Sequence, residues 1–198
     1  LTAKGKKVFI EFEGVRQGAD FYFKRQAYRA ARNGVMAAGF DLTPYLDFDG
    51  ENVIAVRTDN DWQYKEKATG SRFQWNDINF NANYGGIPKN VWLHITDKLY
   101  QTLPLYSNLQ TTGVYIYATD IRTKTRKAII NAESEVRNEY DTPLNVNYEV
   151  SVYDYDGRLG EYFWERVYTG KSQRDSDSKS SPGIGKSSFL ELGIWIPL

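Results

Sequence analysis

The feature that most constrains this chain is a recurrent alternation of apolar and polar residues with a period of two, with almost no segment that repeats at helical spacing. In Lys7 to Phe12 one side carries Val8, Ile10 and Phe12 and the other Phe9 and Glu11, the pattern of a strand covered on one face. Phe21 to Phe23, Gly34 to Thr43 (GVMAAGFDLT, closed by Thr43-Pro44) and Asn52 to Thr58 (NVIAVRT) repeat it, with turn residues between them. Ala27 to Arg32 has some helical propensity. It has no cap and is too short to persist alone as a helix, so it reads as strand or loop. Gly85-Gly86 is a turn, and Val91, Leu93 and Ile95 share one face of a further strand. This spacing predicts an all-β sandwich.

After that strand the texture changes. Asp97 to Thr112 shows no steady period and contains Pro104, which suits a connector. Beyond it Gly113 to Ala118, Lys127 to Val136, Leu144 to Tyr153, Glu161 to Tyr168 and Phe189 to Ile196 read as strands, with turns at Asn138 to Thr142 and Tyr155-Asp156-Gly157. They predict a second sandwich, so the expected division is 1–101 and 102–198. Lys171 to Ser188 has almost no bulky apolar residue and reads as a flexible loop.

Composition removes several function classes. Lys plus Arg and Asp plus Glu are both 25 in 198 residues, so no overall field draws in a polyanion, and nucleic acid is not an expected partner. No apolar run is long enough to span a bilayer, so no membrane partner is expected either. Without cysteine there are no disulfides, thiolate metal ligands or cysteine nucleophiles. His94 is the single histidine and lies in a strand pattern, which fits a structural role better than a zinc site or a hydrolase triad. Arg122 to Lys127 (RTKTRK) is basic but lacks the interleaved aromatics of a nucleic-acid stripe and reads as a solvated connection. Asp47 to Glu51 (DFDGE) and Asp154 to Gly157 (DYDG) have oxygen ligands for calcium, but each lacks the later ligand of an EF-hand loop and suits an Asp-Gly turn.

One stretch stands apart. Trp75 to Gly86 (WNDINFNANYGG) places four asparagines, one aspartate and three aromatics in twelve residues, with Trp62, Tyr64, Phe73 and Gln74 upstream. Sugars offer apolar C–H faces to aromatic rings and hydroxyls to side-chain amides and carboxylates, so this mixture suits a carbohydrate. It equally suits a polar loop whose asparagines cap their own turns. Trp75, Asn76, Asp77, Asn79 and Asn83 are the candidate binding residues, with Tyr84 as a packing residue.

Taken in order, GKKVFIEFEGV with GADFYF, then GFDLTPYLDFDGENVIAVRTDN, then GGIPKNVWLHITD resemble the amino-terminal sugar-binding domain of the glycoside hydrolase family of bacterial β-galactosidase, β-glucuronidase and β-mannosidase. TTGVYIYATDI through INAESEVRNE to VNYEVSVYDYDGR resembles the immunoglobulin-like domain that follows it there. The resemblance implies a galactose-binding-like jelly-roll, with opening strands that would precede Leu1, then an immunoglobulin-like sandwich. In the family a (β/α)₈ barrel carrying two catalytic glutamates comes next, and it would begin where this sequence stops. The chain is therefore expected to be a non-catalytic accessory part of a β-galactosidase-like enzyme, inactive alone. Its expected partners are the parent's catalytic barrel and a β-galactoside-like carbohydrate, for which the Trp75 stretch forms one wall. No cofactor is expected, although a structural calcium is compatible with such jelly-rolls. Export to the periplasm or medium of a bacterium follows from family habit, with the cytoplasm as the alternative. The competing readings are a free-standing carbohydrate-binding module and a ligand-free structural sandwich protein.

Two further points follow from the resemblance. The family's acid/base glutamate follows an asparagine, and Asn138-Glu139 is such a pair. It lies in a turn with no second carboxylate marked out at the roughly 5 to 5.5 Å that a retaining glycosidase needs, so it is read as structural. The family also turns its first hairpin on Asn-Gly, where this chain has Lys24-Arg25-Gln26-Ala27, so a wider or differently built hairpin is expected.

Overall fold

The computed structural model describes residues 3–16, 18–24, 26–31, 36–61, 85–106, 108–125, 127–153, 156–169 and 187–197. Among them the protein is all-β apart from one 3₁₀ turn at Thr43–Tyr45, which Pro44 opens with its fixed φ. No helix among these residues is long and apolar enough to cross a membrane. The chain divides into two compact units, residues 1–96 with 107–109, and residues 97–106 with 110–198.

The first unit contains β1 (Lys7–Phe12), β2 (Gly18–Phe23), β3 (Gln26–Ala31), β4 (Ala38–Asp41), β5 (Ile54–Asp59) and β6 (Val91–Thr96). They form two antiparallel sheets, ordered β4-β1-β6 and β3-β2-β5. The period-two residues meet between them: Ile10 and Phe12 of β1, Ala38 and Phe40 of β4, and Ala19, Phe21 and Phe23 of β2 are all buried, joined by Val15 and Leu42. Phe21 is the centre of this core, its ring 4.9 Å from that of Phe12 and 4.6 Å from that of Phe40. Val91, Leu93 and Ile95 do share a face of β6, opposite Phe12, Ile10 and Val8.

Of the two expectations for the β2–β3 hairpin, a wider turn is not found and a different construction is. Phe23 pairs with Gln26, leaving a two-residue connection, and Lys24 takes the left-handed φ of +49° that glycine or asparagine would normally supply. The segment 26–31 is strand rather than helix, because its partner β2 satisfies the backbone that a short isolated helix would leave open.

The second unit contains β7 (Leu99–Gln101), β8 (Val114–Arg122), β9 (Lys127–Asn138), β10 (Leu144–Tyr153), β11 (Leu159–Thr169) and β12 (Ser187–Pro197). β10 pairs with β11, while β9 has β12 along one edge and shares its other edge between β8 and β7. Val136 and Tyr148 are buried together, with Leu99, Val146 and Val150 against them. The expected connector from Asp97 to Thr112 thus contains a strand, which at three residues is too short to show a period.

Candidate functional site

Trp75, Asn76, Asp77, Asn79, Asn83 and Tyr84 all lie outside the described residues, as does most of the 171–188 run. What the structure describes is the frame from which the candidate stretch springs. The antiparallel pairs Phe12↔Val91 and Gly18↔Asp59 bring the end of β1, the start of β2, the end of β5 and the start of β6 to one rim of the first sandwich.

At this rim the two ends of the segment are held close together. Asn60 lies against Gly85 so tightly that a Cβ on Gly85 would sit 2.7 Å from Asn60 Cγ and 2.8 Å from its Nδ2. The next residue, Gly86, has φ +89°, and its carbonyl accepts a hydrogen bond from the Arg16 backbone N–H at 3.0 Å. Glycine is a requirement of geometry at Gly86, whose backbone is left-handed, while at Gly85 a Cβ would displace the exposed Asn60 side chain. On the outgoing side the Asp61 N–H donates to Asp59 Oδ1 at 3.0 Å, a local turn that ends β5.

Beside this stem stands a polar cluster centred on Glu13. Its Oε1 accepts the indole N–H of Trp92 at 2.8 Å, and its Oε2 accepts the Asn90 side-chain amide at 3.0 Å and the Asn90 backbone N–H at 3.3 Å. The backbone closes the ring, with the Glu13 N–H donating to the Asn90 carbonyl at 3.1 Å. The aliphatic stem of Lys89 runs past Gly14, in ordinary van der Waals contact with the place where a Cβ would stand. The Trp92 indole N–H first of all, then the Asn90 donors and the Lys89 charge, hold the Glu13 carboxyl below the usual glutamate value against the opposing effect of desolvation. Trp92 itself remains half exposed, and the Nε of nearby Arg16 is buried without a hydrogen-bond partner.

The depressed carboxyl has a pH signature. Because the folded value lies below the unfolded one, the contact is complete above the ordinary glutamate range and is lost as pH falls through the lowered value. The indole N–H resonance of Trp92 should therefore stay constant from neutrality through the usual glutamate range and move only below it. Movement centred on an ordinary glutamate pKa would show that the contact does not form in solution.

The remaining motifs are structural. His94 Nε2 lies 2.8 Å from Glu11 Oε2 across the β1–β6 pair. Asn138, fully buried, donates from Nδ2 to the Thr142 carbonyl and accepts from the Tyr140 N–H, both at 2.9 Å, while Glu139 Oε1 accepts from the Tyr100 hydroxyl at 2.7 Å. Of the pair that resembles a catalytic Asn-Glu, Asn138 is thus bound into its own turn and Glu139 is tied to Tyr100 of the Leu99–Gln101 strand. Asp47 and Asn52 likewise bond within the DFDG loop: Asp47 Oδ1 accepts the Asp49 N–H at 3.1 Å, and Asn52 Oδ1 accepts the Asp47 N–H at 2.8 Å. Among the described residues no group of three or more His, Asp or Glu side chains is placed to hold a metal ion.

Sequence reasoning passed over Glu13, Asn90 and Trp92. Only the register of β1 against β6 joins residues nearly eighty positions apart, and no local pattern reports that register.

Two successive antiparallel β-sandwiches define a tandem all-β protein. No protein-family model matches the chain. It is 43% identical over 162 residues to a β-glucuronidase of Formosa agariphila, a match covering 79% of this chain and 16% of that protein. It is 30% identical over 154 residues to the β-galactosidase BoGH2A of Bacteroides ovatus, covering 78% of this chain and 15% of that one. Among solved structures, a β-glucuronidase from glycoside hydrolase family 2 superposes with a TM-score of 0.75 at 35% identity, over 98% of this chain and 19% of that chain. The chain belongs to glycoside hydrolase family 2, matching the amino-terminal β-domains of its members. As the resemblance implied, these are the jelly-roll-like and immunoglobulin-like sandwiches.

Proposed function

We propose that this chain serves as the accessory, non-catalytic β-region of a family 2 glycoside hydrolase, buttressing a catalytic barrel and forming one wall of its carbohydrate pocket. The observation that carries this reading is the superposition of nearly the whole chain on about a fifth of a family 2 β-glucuronidase. The wall is assigned to the Trp75 stretch, with Trp75, Asn76, Asp77, Asn79 and Asn83 as its sugar-facing residues. The clasp of Asn60 on Gly85 and the Gly86 turn support this assignment, since they fix where the stretch leaves and rejoins the sandwich. The substrate class is a β-linked galactoside or glucuronide, after the activities named for the relatives.

The purified chain should release no nitrophenol from nitrophenyl β-galactoside or β-glucuronide; turnover above background would overturn the non-catalytic role. It should bind the corresponding methyl glycosides with millimolar affinity. Trp75→Ala or Asp77→Ala should weaken that binding by roughly five- to tenfold, as expected for one lost stacking or hydrogen-bonding contact of about 1 kcal/mol. Affinity unchanged in both variants would remove these residues from the wall.

A further inference from the structure

We infer that Trp92 is a stacking platform for a neutral pyranose ring, a sugar contact separate from the Trp75 stretch and set beside its stem. This inference rests on the carbohydrate reading above and adds to it a residue and a preference among sugars.

Trp92 is held unlike its neighbours. Val91, Leu93 and Ile95 share the face of β6 whose register partners are Phe12, Ile10 and Val8, and they too are exposed. Trp92 points to the other face, where its register partner is Glu11, and half of its surface is open. Tryptophan is among the most buried side chains on average, so an open indole needs a reason. This one is also held still. Its N–H is bonded to Glu13 Oε1 at 2.8 Å, and Oε2 of that carboxylate is anchored by both the side chain and the backbone of Asn90. An aromatic face whose orientation is fixed before binding loses little entropy when a ligand stacks on it. The apolar C–H face of a pyranose is the complementary surface, and its hydroxyls are the complementary polar edge.

Glu13 determines which sugar fits. A carboxylate has about four lone-pair positions, and the three donors from Trp92 and Asn90 leave one on Oε1, beside the indole, able to accept a sugar hydroxyl. The same negative charge disfavours the carboxylate of a uronic acid at this place, because like charges at close range repel. The platform therefore selects a neutral ring, such as a galactose unit, over a glucuronate.

The test follows the indole N–H signal of Trp92 in the nitrogen-15-labelled full chain, assigned as the one missing from Trp92→Phe. Methyl β-galactopyranoside should shift it saturably at millimolar concentration, while the acyclic alcohol galactitol should not. Trp92→Ala should weaken galactoside binding about fivefold or more and Trp92→Phe about twofold, since phenylalanine keeps a smaller ring. Methyl β-glucuronide should bind several-fold more weakly at neutral pH, and Glu13→Gln should narrow that difference. A Trp92 signal unmoved by the galactoside, an equal shift by galactitol, or full affinity in a folded Trp92→Ala variant would overturn the platform. So would tighter binding of the glucuronide that Glu13→Gln leaves unchanged. If Trp75→Ala abolishes binding while Trp92→Ala does not, the platform alone falls; if no sugar binds the wild-type chain, the pocket-wall reading falls with it.

Discussion

Replacing Phe21 by alanine should destabilise the first sandwich by about 3 to 5 kcal/mol, the usual cost of emptying a buried aromatic site. Phe21 is 2% exposed and belongs to β2, whereas the two rings it touches, Phe12 and Phe40, belong to β1 and β4 of the facing sheet. It is the contact through which the two sheets share a core. Its removal takes away the transfer energy of the ring, both aromatic pairings and the packing of whatever cannot collapse into the space. Against a typical domain stability of about 5 to 15 kcal/mol, such a loss is a large fraction of the total. Phe21→Leu should cost much less, about 1 to 2 kcal/mol, because most of the volume is retained. Urea titration read by near-ultraviolet circular dichroism measures both. A loss below about 1 kcal/mol for Phe21→Ala would mean that the sheets are not joined through this ring.

How this unit and its partner were legible in the sequence depends on where the information lies. The β10 limits, Leu144–Tyr153, coincide with the alternating run, and β1 coincides with Lys7 to Phe12, where the alternation of residue types marks the strand although residues on both of its faces are buried. β7 left no such trace: three residues beside Pro104 carry too few side chains to show alternation, and its strand character comes from pairing with the end of β9. The tightness of the β2–β3 turn was not legible because Lys24 is a poor left-handed residue by itself, and the flanking pairs hold it in that conformation. At the candidate site the aromatic and amide content of residues 75–84 was plain in the sequence. The rim formed by the flanking strands was not, since the Glu13–Trp92 bond and the Asn60–Gly85 contact depend on register and on close approach rather than on composition.

The second large effect is expected at Glu135, which sits on β9 with 3% of its surface exposed. Its Oε2 accepts the Thr112 backbone N–H at 2.6 Å and its Oε1 accepts from Arg137 Nη2 at 3.3 Å. Its own backbone donates to the Gly113 carbonyl at 2.8 Å and accepts from the Thr102 N–H at 2.9 Å. One strand residue therefore pins both ends of the 102–113 segment. That segment is closed further by the Gly113 N–H bonding to Thr102 Oγ1 at 3.0 Å, by the Thr111 hydroxyl bonding to the Leu103 carbonyl, and by buried Leu105. Gly113 cannot yield, since its φ is +68° and a Cβ there would lie 2.7 Å from the Pro104 nitrogen. Glu135→Ala removes the acceptor and leaves the Thr112 N–H and a largely buried guanidinium without it, at a cost of about 2 to 4 kcal/mol. Glu135→Gln retains shape and one acceptor and should lose about 1 to 2 kcal/mol. Most of the alanine cost should come from the stranded charge of Arg137, whose Nε already has no hydrogen-bond partner. The double variant Glu135→Ala with Arg137→Ala should then be more stable than the sum of the single losses predicts, by about 1 kcal/mol or more. Strict additivity in a denaturation cycle would instead assign the loss to the Thr112 contact and make the ion pair incidental.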